Sequence, residues 1–221
     1  MGGAACVVLV PVLRRPHRVA PLLASLAASQ ADARALFIAS PGDEAEQVAV
    51  TDAGGDLLTI EAEVAPGDYA RKINAGYRAT GEPLMLLGAD DITFRPGWLE
   101  AVIAQLRPGV GVIGTNDLGS SRVMAGHHAT HPVVTRVYAD DHGTIDRPGE
   151  VLHEGYGHNF VDDELVGTAK RRGAWAFASD AIVEHHHPDW GKAPRDEVYD
   201  LGRARWAQDR LHFKQRLHLW K

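Results

Sequence analysis

Three clusters of carboxylates and imidazoles in this chain have types and spacings suited to chemistry. Asp90-Asp91 follows the apolar run Leu84-Met85-Leu86-Leu87-Gly88-Ala89, and no charged residue is near until Arg95. Two adjacent carboxylates repel each other unless a cation is at hand, and divalent cations are held by carboxylates, sometimes with a histidine. Asp162-Asp163-Glu164 precedes apolar residues at Leu165, Val166 and Ala169, the spacing of a helix. Asp162, three residues before Leu165, shares that helix's inward face. An inward carboxylate needs a partner or a task. Asp163 and Glu164 lean towards solvent, where acids at a helix start complement its dipole. The third cluster, Glu184-His185-His186-His187, follows the apolar stretch Ala181 to Val183. On a strand His185 and His187 face one way and His186 the other. Imidazole ligates divalent metals, so either His185 or His187 can complete a site with Asp90 or Asp91.

Cations stand near these groups in the chain. Arg14 and Arg15 follow the first apolar run, and Lys72 and Asn74 precede the acidic turn. A metal site, a carboxylate base and a cationic loop are what the transfer of a sugar from a nucleoside diphosphate requires. The leaving diphosphate gains charge that a metal neutralises, and the acceptor hydroxyl must lose a proton.

The elements that would position them alternate. Cys6 to Val12 reads as a buried parallel strand. Val19, Leu22, Leu23, Leu26 and Ala27 form one helix face after Pro16. Ala35 to Ala39 is a second strand, and Asp43 is placed to cap a second helix. Asp56 to Ile60 is a third strand. Pro66-Gly67 breaks the chain before a helix from Asp68 to Ala79. Pro83 to Leu87 is a buried strand, Pro96 opens a helix through Leu106, and Val110 to Ile113 is a further strand. Pro132 to Tyr138 reads as a strand and Asp162 to Arg172 as a helix. Trp175 to Ala178 and Ala181 to Glu184 read as two short strands. Such alternation predicts an α/β fold, an open, mostly parallel central sheet with helices on both faces, binding ligands at the carboxyl ends of its strands. From Arg195 the chain is helical, with Tyr199, Trp206, Phe213 and Trp220 at seven-residue spacing. That stripe suits a tail, 195–221, packing on the catalytic domain, 1–194, or on a second copy.

Composition limits the alternatives. A net charge of -6 argues against wholesale coating of nucleic acid. The single cysteine, Cys6, excludes an internal disulfide and a thiolate metal site, and fits a cytoplasmic protein. No stretch approaches a membrane span. The run Ala4 to Val10 lacks the layout of a signal peptide.

Taken together these segments resemble the family 2 glycosyltransferases of the GT-A fold. Val7-Val8-Leu9-Val10-Pro11 with Arg14-Arg15-Pro16 is similar to that family's first strand and nucleotide loop. Gly67 through Arg71-Lys72-Ile73-Asn74-Ala75-Gly76 is similar to its Gly-to-Lys-x-Asn segment. Leu86-Leu87-Gly88-Ala89-Asp90-Asp91 and Pro96-Gly97-Trp98-Leu99 resemble its Asp-x-Asp turn and following helix. Asp162-Asp163-Glu164-Leu165, with Gly173 beyond, resembles its acidic base motif. Gly88 stands where the family carries the first Asp, and Val161 where an acid precedes the base. The resemblance implies a UDP- or GDP-linked sugar donor, Mn²⁺ or Mg²⁺, and inversion at the anomeric carbon. It implies catalytic roles at Asp162 and Asp163, and donor contacts from Pro11, Arg14, Arg15, Asp43, Lys72, Asn74, Ala89 and Asp90. It implies metal ligands among Asp90, Asp91, His185 and His187.

The acceptor has no signature. Polar groups between residues 114 and 159, among them Asn116, Asp117, Tyr156 and His158, suit hydroxyls, and Trp190 suits a sugar ring. A glycan, a small metabolite or a nucleic-acid base all remain open. A nucleotidyltransferase of related architecture would use the same carboxylates but begins with a glycine-rich loop, and Pro11 to Pro16 has none. A sugar-nucleotide binding module without catalysis is the other alternative.

Overall fold

The central strand, β1 (Cys6–Pro11), is apolar at every position because both of its faces are covered. In this computed structural model, which describes residues 4–61 and 68–220, Cys6, Val8 and Val10 point into one core layer and Val7 and Leu9 into the other. The expected break at Pro66-Gly67 lies outside the described residues.

One layer holds α1 (Val19–Ala28), α2 (Glu44–Asp52) and α4 (Trp98–Ile103), centred on Leu22, Val50 and Trp98. The other holds α3 (Asp68–Ala79), α6 (Arg136–Asp141) and α7 (Val161–Arg171), through Ile73, Tyr138 and Leu165. A short α5 (Ser121–Met124) lies between them in sequence. No helix among the described residues is long and apolar enough to cross a membrane.

The sheet has eight strands in the order β3-β2-β1-β4-β7-β6-β8-β5. They are β2 (Ala33–Ala39), β3 (Asp56–Thr59), β4 (Leu84–Leu87), β5 (Ile92–Phe94), β6 (Val112–Asn116), β7 (Val133–Thr135) and β8 (Trp175–His185). The first four are parallel, as the alternation implied. Beyond β4 the sheet is mixed: β7 runs antiparallel to both β4 and β6, β8 parallel to β6, and β5 antiparallel to β8.

Three elements differ from the sequence reading. The strand expected over 132–138 stops at Thr135, whose hydroxyl accepts from the Tyr138 amide and caps α6. The two short strands expected over 175–184 are one strand, β8, with an irregularity where it leaves β6. β5, only three residues long, has too little pattern to be read from sequence and exists through its pairing with β8.

The C-terminal segment is two helices, α8 (Glu197–Ala204) and α9 (Trp206–Arg216), broken at Arg205. The aromatic stripe divides at that break. Tyr199 turns into the cleft, while Trp206 and Phe213 pack on Phe160 and Trp220 on Phe213. Asp209 accepts the amides of Gly157, His158 and Asn159 at 2.7, 2.9 and 2.8 Å. Arg216 forms a buried pair with Glu164 at 2.7 Å and reaches Asp146 at 2.6 Å. Removing one partner of a buried ion pair costs about 3–5 kcal/mol because it strands the other charge. Arg216→Ala is therefore expected to lower unfolding stability by that amount, read as the shift in urea midpoint.

Candidate metal and donor site

The acidic turn lies where β4 ends, and both its carboxylates are buried. They do different things. Asp90 Oδ1 receives Arg15 Nη1 at 3.1 Å, with Arg18 Nη1 at 3.8 Å. Burial, and then the charge of Asp91, raise the Asp90 carboxyl, against the two arginines. Asp91 Oδ2 accepts from the Tyr199 hydroxyl at 2.8 Å and lies 3.3 Å from His185 Nε2 and 3.4 Å from Arg18 Nη1. Burial alone would raise Asp91, but the charge and hydrogen bond of His185 hold it well below the usual carboxylate range.

His185 reaches Asp91 through strand pairing. β5 follows the turn directly, and its register with β8 sets Ile92 opposite His185. A third residue joins them. His131 precedes β7, and its Nδ1 donates to the Leu87 carbonyl at 3.0 Å, which fixes the tautomer and leaves Nε2 as an acceptor. Burial first, then His185, push His131 down to about 4, so the imidazole is neutral at physiological pH. Asp91, His131 and His185 each bring a ligand atom within 4.8 Å of the others. Asp91 Oδ1, His131 Nε2 and His185 Nδ1 are buried without a hydrogen-bond partner. Buried polar atoms ordinarily find one, and a carboxylate with two imidazoles is a donor set for a divalent cation.

The other expected metal residues stand apart from this trio. Asp90 is engaged by Arg15. His187 lines the same cleft, beside His185 and Tyr199, with ring centroids 5.1 and 4.8 Å away.

The loop after β1 is held from α2. Asp43, expected to cap that helix with its side chain, makes no such cap; its carboxylate accepts the Arg14 amide at 2.7 Å. Fully buried Glu46 accepts the Arg15 amide. Arg14 adopts φ 53 there, and its side chain extends outward towards Glu197. The Arg15 guanidinium points inward, bonded through two nitrogens to Asp196 and lying 3.9 Å over the Tyr199 ring. Lys72 is buried with Nζ on the Val12 carbonyl at 2.7 Å, and burial lowers its pKa. Asn74 bonds Leu152 and Val151, pinning that loop. Pro11 and Ala89 line the cleft.

That cleft has a volume of about 550 Å³ and reaches from the β1 loop to the start of α7. On its far side Phe160, at φ 65, precedes α7 and directs Asp162 and Asp163 into the opening. Asp162 Oδ2 is 3.0 Å from His128 Nε2, and Asp163 is held by Arg122 at 2.9 Å. His158 also lines the cleft. The remaining acceptor candidates do not. Asn116 bonds the Ser179 carbonyl, Asp117 accepts the Gly119 and Ser120 amides, and the Tyr156 hydroxyl donates to Glu164. Trp190 packs beside His187, outside the lining.

Sequence reasoning missed Arg18, His131, Asp196 and Tyr199. Arg18, His131 and Asp196 belong to none of the three acidic and histidine clusters, and Tyr199 reads only as part of an aromatic packing stripe.

No family model matches the chain, and no curated protein sequence matches it. Solved structures do. The mannosyltransferase PcManGT from Pyrobaculum calidifontis, in complex with GDP-Man and Mn²⁺, superposes with a TM-score of 0.70 at 14% identity, over 99% of this chain and 65% of that one. Glucosyl-3-phosphoglycerate synthase from Mycobacterium tuberculosis, in complex with Mn²⁺, UDP-Glc and phosphoglyceric acid, gives 0.61 at 14% identity, over 94% of this chain and 79% of that one. The same enzyme with Mg²⁺ and UDP gives 0.60 at 14% identity, covering 91% and 76%. The fold is GT-A. The chain spans about two thirds of the mannosyltransferase's length. Within the GT-A framework the cleft lies where open α/β sheets bind ligands, outside the carboxyl ends of the strands.

Outer-shell partners of a metal are worth 10–100-fold in affinity, so loss of a ligand costs at least about tenfold. His131→Ala and Asp91→Ala are expected to weaken Mn²⁺ binding by at least that factor in a water-proton relaxation titration. His187→Ala is expected to leave it within about twofold, because its imidazole is outside the trio.

Proposed function

We propose that this chain is an inverting glycosyltransferase that moves a sugar from a nucleoside diphosphate to an acceptor hydroxyl. The observation that carries the reading is the trio Asp91–His131–His185, with its unpartnered buried atoms, in one cleft with the carboxylate Asp162. The likeness to solved GT-A structures bound to GDP-Man or UDP-Glc with Mn²⁺ supports it.

Asp91, His131 and His185 would hold the divalent cation. One carboxylate and two imidazoles suit Mn²⁺ better than Mg²⁺, which prefers oxygen ligands. A cation there supplies Lewis-acid neutralisation of the charge that the departing diphosphate gains. The chain's own residues do the rest. Arg15, Arg18 and Lys72 give the donor side positive charge for the phosphates, and the β1 loop with Pro11 and Ala89 forms the wall against which the nucleoside lies. Asp162 stays ionised, since His128 outweighs the effect of its burial. It takes the acceptor's proton while the acceptor oxygen bonds to the anomeric carbon. The bond from that carbon to the diphosphate oxygen breaks on the opposite face, its electron pair leaving with the diphosphate, so the configuration inverts.

The C-terminal segment, 195–221, belongs to this reading as a tail folded on the catalytic domain, 1–194. Its aromatic residues meet partners within the chain, so no second copy enters the proposal. The single buried cysteine supports a cytoplasmic setting.

The test is a thermal-shift titration with UDP-glucose and GDP-mannose, each with and without Mn²⁺, paired with release of the nucleoside diphosphate. Metal-dependent stabilisation by one of the donors is expected. Asp162→Asn is expected to lower turnover by about 10²-fold or more while leaving donor affinity nearly unchanged. A protein that no nucleoside diphosphate stabilises, with or without metal, would not be a transferase of this kind.

A further inference from the structure

His128 is placed to act on the reaction without touching the substrate. Its side chain is only 8% exposed and is absent from the cleft lining, whereas Asp162 is part of it. The imidazole Nε2 lies 3.0 Å from Asp162 Oδ2, and Asp162 Oδ1 accepts the Asp163 amide at 3.0 Å. Both carboxylate oxygens are therefore oriented, one by an imidazole behind and one by the backbone of α7. His128 Nδ1 is buried without a hydrogen-bond partner, 3.9 Å from Asp163 Oδ1.

We propose that His128 and Asp162 form a paired base, in which His128 is a positioning residue that orients the Asp162 carboxylate and keeps it ionised. This rests on the transferase reading for its catalytic role, but the pairing itself does not.

The charges around the pair set its behaviour. Asp162 and Asp163 face His128 from α7, and Arg122 faces it from α5. Burial disfavours the imidazolium, yet the charge of Asp162, its hydrogen bond and then Asp163 outweigh burial and Arg122, so His128 titrates above its usual range. Burial alone would protonate Asp162 more readily, but His128's charge and hydrogen bond reverse this and lower its pKa. Asp163, raised by burial and by Asp162's charge, is the weaker partner and is held by Arg122. Tyr69 and His158 also feel the charge of Asp162. The sign follows. Asp162 is ionised above its depressed pKa, and below the raised pKa of His128 an imidazolium stands against it. Without His128, burial dominates and protonation of Asp162 reaches into a higher pH range. An opposite charge at this distance shifts a carboxyl by about one to three pH units.

Two measurements test the pairing and its role separately. In the first, the His128 imidazole is titrated by NMR in the wild type and in Asp162→Asn. A fall of about one pH unit or more in the variant is expected; an unchanged titration overturns the pairing. In the second, hydrolysis of UDP-glucose and GDP-mannose with Mn²⁺, water serving as acceptor, is followed against pH for the wild type and for His128→Asn. Asparagine keeps a hydrogen-bond donor but no charge. The acid limb of kcat is expected to move up by about one unit, with the rate recovering at high pH and KM for the donor unchanged. A drop of equal size at every pH would make His128 a packing residue and overturn the role. A wild type that hydrolyses neither donor at any pH would sink the transferase reading and the catalytic role with it, while the NMR result still decides the pairing.

Discussion

Two neighbouring carboxylates are buried at the end of β4, and much of the structure around them answers that constraint. Buried charge is costly unless paired, and Asp90 and Asp91 cannot pair with each other. Arg15 and Arg18 come from the loop after β1, His185 from β8, and Tyr199 from α8. Three separate segments thus converge on one turn. The convergence is asymmetric: Asp90 takes the arginine and Asp91 takes the imidazole and phenol. The two move in opposite directions: burial and the charge of Asp91 push Asp90 towards its neutral form in spite of its arginines, while His185 and Tyr199 help keep Asp91 firmly ionised.

The antiparallel additions to the sheet make this possible. In an all-parallel sheet the strands flanking β4 would send their carboxyl ends to the same edge but offer no returning segment there. Here β7 enters beside β4 from the cleft end, so His131, just ahead of it, lies against the Leu87 carbonyl. β5 leaves the acidic turn and runs back along β8, whose last residue is His185. One neutral imidazole is thereby locked by a backbone carbonyl, the kind of outer contact that orients metal ligands. The other is set by strand register.

The C-terminal helices close the far side. Asp209 gathers three amides of the segment ahead of α7, and Arg216 neutralises Glu164 on α7 itself. Through these two contacts the end of the chain sets the position of the helix that carries Asp162. Asp196 and Tyr199 meanwhile cover the guanidinium of Arg15. The two sides of the cleft are thus tied by a single segment.

Local pattern was enough to place β1 through β4, α1, α3 and α7: β1, β2 and β4 are apolar runs, the helices carry a clear apolar face, and β3 falls between turn signals. It was also enough to mark the pair Asp90-Asp91, Asp162, and His185 or His187 as groups needing partners, since each follows or joins an apolar element. Which partner each one meets was decided by tertiary structure. Pairing between strands far apart in sequence put His185 beside Asp91, and a three-residue strand with no pattern of its own fixed the register. His131 belongs to no cluster in the chain and Tyr199 only to an aromatic stripe, and it is β7 and α8 that bring them to the acidic turn. Asn116, Asp117 and Tyr156 show the reverse case, polar residues in a promising segment whose hydrogen bonds are used within the fold. Sequence fixes which groups cannot be left alone in a core, because that follows from charge and burial. Which group satisfies them depends on contacts across the sheet, and those follow from strand order and register.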